Sequence, residues 1–434
     1  MLKSLLLIFL LLYSATFLDA QDTWVRVYGG TGGEGGHSIT TTNDGILITG
    51  STSSYDGDFD GINLGRSDLF VIKFDNNGRI LWKRTIGGKS YDWGNSVTTT
   101  AQGDVLVAGV SSYEEESENG DIVVAKLDKS GEIRWKKSYG GLEHDECNTI
   151  VTVGDGIVIS GVTKSNDVDF KGMNQGEDDI FIIRLDQNGN VLWNKTYGGK
   201  RTDFGSCLVR MSDNSLLVTG WTSSNDGTFK GMNYGADDVF LLKLDQNGNV
   251  LWKKTFGGSD QDLGRSVIAT ADGGILIAGE TESNNGDFEG MNRGSADIFV
   301  IKVDSDGVVQ WKKTFGGNHR ERVTDITSTS DGGILITGET ESNDGDFNGM
   351  KKGEYDIFVI KLDGNGVQLW TRVYGGTDWD VSNSITTVKD DVLITGMSGS
   401  NDGDFKGMNK GDKHIIVMKL NSSGNLVQSS SKSK

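Results

Sequence analysis

The sequence predicts an all-β fold: a seven-bladed β-propeller with four antiparallel strands per blade, its ring closed by the N-terminal strand. Three observations predict it. A unit of roughly 58 residues recurs seven times from Asp22 onward, marked by Trp24, Trp82, Trp135, Trp193, Trp252, Trp311 and Trp370, spaced 58, 53, 58, 59, 59 and 59 apart. Each unit carries four short apolar runs, rich in Val, Ile and Thr and bounded by Gly, Asn or Asp, which read as strands. No segment of the repeats shows helical periodicity with caps. Four-stranded units repeated radially form a propeller, which leaves few exposed sheet edges.

The elements follow in chain order. Residues 1–20 stand apart: Lys3 precedes an apolar run from Leu5 to Leu12, and small or polar residues lead to Ala20 and Gln21. That run is too short to span a bilayer and reads as a secretory signal peptide cut near Ala20–Gln21. No Cys sits at the cut, which argues against a bacterial lipid anchor, and no later stretch is apolar enough to cross a membrane. The expectation is a secreted or periplasmic, soluble monomer without membrane insertion. The propeller occupies 21–424, and 425–434 is a worn repeat strand with a polar tail.

One full unit runs Gly264–Thr270, a turn at Ala271–Gly274, Ile275–Glu280, a long loop, Ile298–Val303, a turn at Asp304–Gly307, then Val308–Thr314. The second strand recurs from Ile46–Gly50 to Val392–Gly396, and the third from Leu69–Phe74 to Ile415–Leu420. The fourth, Trp-bearing strand has a spare copy. Thr23–Tyr28 keeps its Trp, whereas Asn425–Ser430 has Gln428 in that place, so the N-terminal strand is expected to complete the last blade. The repeated Trp, following an Asp-x-x-Gly turn, is expected to wedge between blades.

Composition narrows the partners. With 61 acidic against 42 basic residues, the net charge of −19 argues against nucleic acid, whose binding needs Lys and Arg on phosphates. The 63 Gly and absence of Pro assign tight turns to Gly, Asn and Asp. Two Cys, Cys147 and Cys207, stand at non-equivalent repeat positions, so stability must come mainly from burial.

The Tyr/Phe-Gly-Gly, the Ile-Leu-Ile-Thr-Gly type strand and the Leu-Asp-x-x-Gly-x-x-x-Trp element, as in Leu185–Trp193, resemble those of bacterial seven-bladed β-propeller repeat proteins over the whole mature chain. The resemblance implies an extracytoplasmic propeller and carries no common catalytic set. The Asp-x-x-Gly-x-x-x-Trp element also looks like the docking element of quinoprotein propellers. Those usually have eight blades, and several place adjacent cysteines at the cofactor, neither of which is found here.

Strand order sorts the connections. First-to-second and third-to-fourth turns are short and share one face; second-to-third loops and blade crossovers are longer and share the other, where binding is expected. Three features mark that loop face. Six residues beyond the aromatic or Ile before each Gly-Gly stand Glu34, Asp92, Asp145, Asp203, Asp262, Glu321 and Asp380, an acidic ring expected at the mouth of the central channel. It reads either as an axial site for a cation or basic group, or as carboxylates bonding backbone N–H groups of their own crossovers. The second feature is a possible calcium site in the long loop, as Asp56-Gly-Asp58-Phe-Asp60-Gly or Asp344-Gly-Asp346-Phe-Asn348-Gly, because Asp-x-Asp-x-Asp/Asn-Gly begins a calcium loop. Lys171, Lys230 and Lys406 break that pattern in three blades and Thr228 in one; the alternative is a solvated turn anchored by its Phe. The third is broken symmetry. Blade 2 has a shorter loop with Glu114, Glu115, Glu116 and Glu118, and Trp93, Trp379 and Trp221 fall outside the repeat pattern. Asp92, Trp93, Asp145 and Trp379 are the candidate ligand contacts.

The four His occupy different repeat positions, and no Cys/His metal spacing or nucleophile motif occurs. The reading is a secreted, non-catalytic scaffold binding a glycan or protein through its acidic loop face. A carbohydrate-active lyase or hydrolase, with carboxylates at the channel mouth, and a matrix or adhesion protein are the alternatives.

Overall fold

A computed structural model of the chain describes residues 23–112, 119–409 and 411–426. The expected signal peptide, the acidic part of the blade 2 loop and most of the worn final strand lie outside the described residues. Strands gather into seven antiparallel four-stranded sheets. Blade 1 is Glu34–Thr42, Gly45–Thr52, Asp68–Phe74 and Ile80–Ile86, and the next five blades repeat it. Blade 7 takes Asp380–Val388, Asp391–Ser398 and His414–Leu420 from the C-terminal end and Trp24–Tyr28 from the N-terminal end. Trp24 lies opposite Lys419 and Tyr28 opposite Ile415, so the N-terminal strand closes the ring as expected. First strands of neighbouring blades touch all the way round, which makes them the inner wall.

Middle strands read as unbroken apolar runs because both faces of each sheet are covered by other blades. In Asp238–Leu244 every residue is buried, whereas Val250–Phe256 on the outer edge is mostly half-buried or exposed. The core is interblade: Leu276 and Ile298 of blade 5 cluster with Ile336 and Phe358 of blade 6. One blade alone would leave that surface in water, which is why the repeat has to close on itself.

The repeated Trp does bridge blades. A methyl group at Gly307, in blade 5's third-to-fourth turn, would come 3.2 Å from Trp252 of blade 4. The Trp252 indole donates to Ser305 O of that turn at 3.2 Å, and Tyr197 OH of blade 3 donates to Gly248 O of blade 4's turn at 2.5 Å. Asp245 sets the turn by accepting the N–H groups of Asn247 and Asn249. This explains the end of the chain. The Asn421–Gly424 turn persists because Trp370 and Tyr374 of blade 6 lie against Gly424; Asn425 and Leu426 then leave the strand pattern, and Leu426 packs on the core.

Two features exceed the expectation. First strands begin two residues earlier, at the acidic position: Asp262–Ala269 rather than Gly264–Thr270. In every blade the pairing of first and second strands also slips by one residue, so that His37, Asn95, Asn148, Ser206, Arg265, Thr324 and Asn383 are bulged. Outside blade 2, the long loops each make a single 3₁₀ turn, such as Gly286–Phe288, whose Phe is fully buried against the third strand, with Phe288 5.2 Å from Phe299.

Candidate functional site

The seven ring acids begin the first strands, and their side chains are enclosed rather than open to a channel mouth. Glu34 is 3% exposed, Asp92 1% and the other five 0%. Asp262 shows why. Its Oδ2 accepts the Gly258 N–H and the Ser283 hydroxyl, both at 2.8 Å, and its Oδ1 accepts the Thr281 hydroxyl. The same donors surround Asp203 from Gly199, Ser224 and Thr222, and Asp380 from Gly376, Ser400 and Ser398. Glu34, Asp92, Asp145 and Glu321 likewise accept the N–H of Gly30, Gly88, Gly141 and Gly317. Each carboxylate ties its crossover to the strand it enters. Burial, only partly offset by these donors, raises Asp203 and Asp262 to about 6.

The loop acids are latches too. Asp58 Oδ2 accepts the Gly29 N–H at 3.0 Å and Asp56 Oδ1 accepts the Thr31 N–H at 2.7 Å, so both grip the crossover entering their blade. In blade 6, Asp346 accepts the Gly316 N–H at 2.9 Å and Asp344 the Asn318 N–H at 2.8 Å. Asp60 and Asn348 are exposed beyond the turn. Blade 4 does the same with a neutral group: Thr228 Oγ1 accepts the Gly198 N–H at 3.1 Å. The possible calcium loop is built here as a set of backbone latches. Its carboxylates face separate backbone amides, and among the described residues no three His, Cys, Asp or Glu side chains converge as metal ligands. A hard cation needs several oxygens about one point.

Function has more room where the repeat varies. The residue after each ring acid is Gly35, Trp93, Glu146, Phe204, Leu263, Arg322 or Val381, and across the ladder stand Ser51, Val110, Val162, Trp221, Glu280, Glu339 and Met397. These positions lie at the loop-face ends of the inner strands and so surround the axis. On one side, Phe204 stacks on Trp221 at 4.2 Å, and the Arg265 guanidinium lies 5.3 Å over the Trp221 ring. Arg265 donates to Glu280, which is 1% exposed, and Arg322 pairs with Glu339 at 3.6 Å. On the other side, Glu146 accepts from Asn95 at 2.9 Å and pairs with His144 at 3.7 Å. The neighbouring Glu146 carboxylate raises His144, whereas burial lowers His37, which also faces Glu146. The bulge side chains stitch neighbouring inner strands: His37 bonds Gly94 O, Asn95 Cys147 O, Asn148 Gly205 O, Ser206 Gly264 O and Asn383 Gly36 O.

The four expected contacts separate on this frame. Asp92 and Trp93 are consecutive in one strand, so their side chains take opposite faces, with Asp92 buried and Trp93 half-exposed. Asp145 is enclosed with Ser165, and the Trp379 ring has the Lys413 ammonium 4.6 Å from its centre. Only Trp93 and Trp379 have accessible surface. Glu146, Phe204, Arg265, Glu280 and the two His were not singled out from sequence. For Glu146 and Phe204 the signal was present nonetheless, as non-repeating residues directly after a residue acidic in all seven units. Both thiols are free; burial raises Cys147 and lifts Cys207 to about 11.

No protein-family model matches the chain. It is similar to Regulatory protein FlaEY of Caulobacter vibrioides, 28% identical over 202 residues, 43% of this chain and 20% of that protein. It is also similar to an uncharacterized WD repeat-containing protein of Acanthamoeba polyphaga mimivirus, 24% identical over 253 residues, 56% of this chain and 16% of that one. The matches thus span a fifth or less of these relatives. Among solved structures, the Neurospora crassa Pan2 WD40 domain superposes with a TM-score of 0.51 at 11% identity, covering 95% of this chain and 98% of that one. The WD40 propeller domain of Doa1 gives 0.49 at 13% identity, with 91% and 97% covered. The likeness to the Pan2 domain is one of fold.

Proposed function

We propose that this chain is an exported, non-catalytic binding scaffold that holds a protein or glycan partner at the axial mouth of its loop face. The observation that carries this reading is the contrast between neighbouring positions. The ring acids repeat in all seven blades and are consumed in buried hydrogen bonds, while the next residues differ in every blade and bring Trp93, the Phe204–Trp221 stack and the Arg265–Glu280 pair to one rim. Aromatic rings beside fixed charges suit recognition of an amphipathic surface. A lyase or hydrolase gains no support from the raised carboxylates. The shift repeats from blade to blade with the same cause, so it belongs to the architecture rather than to one reactive centre.

The test is binding of residues 22–434 to a glycan array and to proteins from the host surface, repeated with Trp93→Ala combined with Trp221→Ala. A specific partner lost at least tenfold in the double variant, with the melting curve unchanged, supports the axial mouth. A partner retained in full by that variant removes it. Export is tested by sequencing the mature N-terminus, expected at Gln21.

A further inference from the structure

At the blade junctions two carboxyl groups meet in the dry interior. One is a ring acid; the other begins the third strand of the preceding blade. The pairs are Asp179 with Asp203, Asp238 with Asp262, and Asp297 with Glu321, all six 0% exposed. Each pair converges on one glycine. A methyl at Gly198 would come 2.1 Å from Asp179 Oδ1 and 2.8 Å from Asp203 Oδ2. At Gly257 the distances to Asp238 and Asp262 are 2.2 and 3.1 Å, and at Gly316 those to Asp297 and Glu321 are 2.3 and 2.7 Å.

The two members are unequally served. Asp262 accepts three hydrogen bonds, and Asp203 does likewise. Asp238 accepts only the Tyr234 N–H, on Oδ2, and its buried Oδ1 has no partner. Asp179, with the Gln175 N–H, and Asp297, with the Arg293 N–H, are the same, and in each the unpartnered oxygen is the one that lies, with a ring-acid oxygen, against the shared glycine. Like charges this close in a low dielectric do not both ionise, and the carboxyl with fewer donors is the one left neutral. Two carboxylates are too few for calcium, which takes about six to eight oxygens.

We propose that Asp179, Asp238 and Asp297 are proton-binding sites, each donating its Oδ1 proton to the ring carboxylate across the junction, so that acid–carboxylate hydrogen bonds hold blades 3 to 6 together and alkali releases them. Burial is the main cause that raises all three to about 7, the facing ring acid adding to it. The other charges facing them are Asp178 at Asp179, Asp237 and Asp287 at Asp238, and Arg293 and Asp346 at Asp297. The geometry recurs at Asp68–Asp92 and Asp356–Asp380, where Lys136 or Lys351 and Lys352 oppose the shift, and His414 takes the slot beside Glu34.

The sign follows from linkage. A carboxyl raised in the folded state binds more protons than in the unfolded chain, so its stabilisation is complete below the unfolded value of about 4 and is lost as pH rises through about 7. Wild-type protein should therefore melt at progressively lower temperature from about pH 4 to about pH 8 and level off above that. Combined Asp179→Asn, Asp238→Asn and Asp297→Asn substitutions place a permanent N–H donor where the proton sits. This variant should lose less melting temperature than wild type across that range and melt above it at the alkaline end. A variant that melts below wild type there overturns the proposal. So does a wild-type protein stabilised by calcium at alkaline pH when the variant is not, since a cation would then occupy the junction. Should the triple variant fail to fold, Asp238→Asn alone is compared with wild type by infrared spectroscopy at neutral pH. Loss of part of a protonated-carboxyl band supports the assignment, and absence of any such band in wild type overturns it.

Discussion

At the scale of single residues, the glycine pairs and the acids form one device. In six of the seven Gly-Gly pairs the first glycine lies against two carboxyl groups, and in all seven the second donates its N–H to the ring acid. A side chain at the first position has nowhere to go. Gly257→Ala should cost about 1–3 kcal/mol by overpacking against Asp238 and Asp262, read by denaturant melts, while Gly290→Ala, whose methyl meets nothing within 4 Å, tests only its φ of +70° and should cost about 1 kcal/mol. Asp203→Asn removes an acceptor from three buried donors, so it should lower stability by about 1–3 kcal/mol. Partner binding should not change, because the side chain never reaches the rim. A variant that folds as well as wild type but loses a ligand would return the ring to the binding site. The sequence located all seven acids but not their solvation, because an acidic residue repeated in each unit fits a cation ring and a set of backbone acceptors equally well.

At the scale of elements, the strands were legible and the loops less so. A strand buried on both faces announces itself as a run such as Ile298–Val303, and its limits follow from the Gly and Asp that flank it. The loop pattern Asp-Gly-Asp-Phe left two readings open because calcium and backbone N–H groups ask for the same oxygen ligands. Thr228 in the Asp58 position was the clue, since a hydroxyl can accept the Gly198 N–H but adds no charge to a metal site. The outer strand is where an element can be tested. Trp252 leans on Gly307 and donates to Ser305 O in the next blade, yet is only half-buried. Trp252→Ala should cost about 2–3 kcal/mol, below the loss for a fully enclosed Trp. Trp252→Phe should recover most of it, because the ring stacks on the turn and the N–H bond is one of several at that junction. Equal losses in the two variants, measured by thermal melting, would instead assign the stabilisation to the indole N–H.

At the scale of the whole molecule, closure distinguishes this ring from an open stack of repeats. Every interblade contact has two partners only because Trp24–Tyr28 pairs with His414–Leu420, bringing the first and last repeats together. The two ends contribute differently. The N-terminal strand supplies five ladder positions, sets Trp24 on Gly78 and lets Tyr28 donate to Gly78 O, while the C-terminal Asn421–Gly424 turn receives Trp370 and Tyr374. Removing residues 22–28 would uncover the edge of an apolar strand, in which Ile415, Ile416, Val417 and Met418 are 0% exposed. Such an edge pairs with any available strand. The truncated chain should therefore lose its single cooperative melt and self-associate, as seen by light scattering. Removing 421–434 should lower the melting temperature yet leave the ring closed. The N-terminal deletion has a direct rescue: a peptide of residues 22–30 added in trans should restore the melt by strand addition, and a peptide with Trp24→Ala and Tyr28→Ala should not. A 22–28 deletion that stays monomeric and melts like the full chain would show that the ring holds without its N-terminal clasp, and that the interblade core alone suffices.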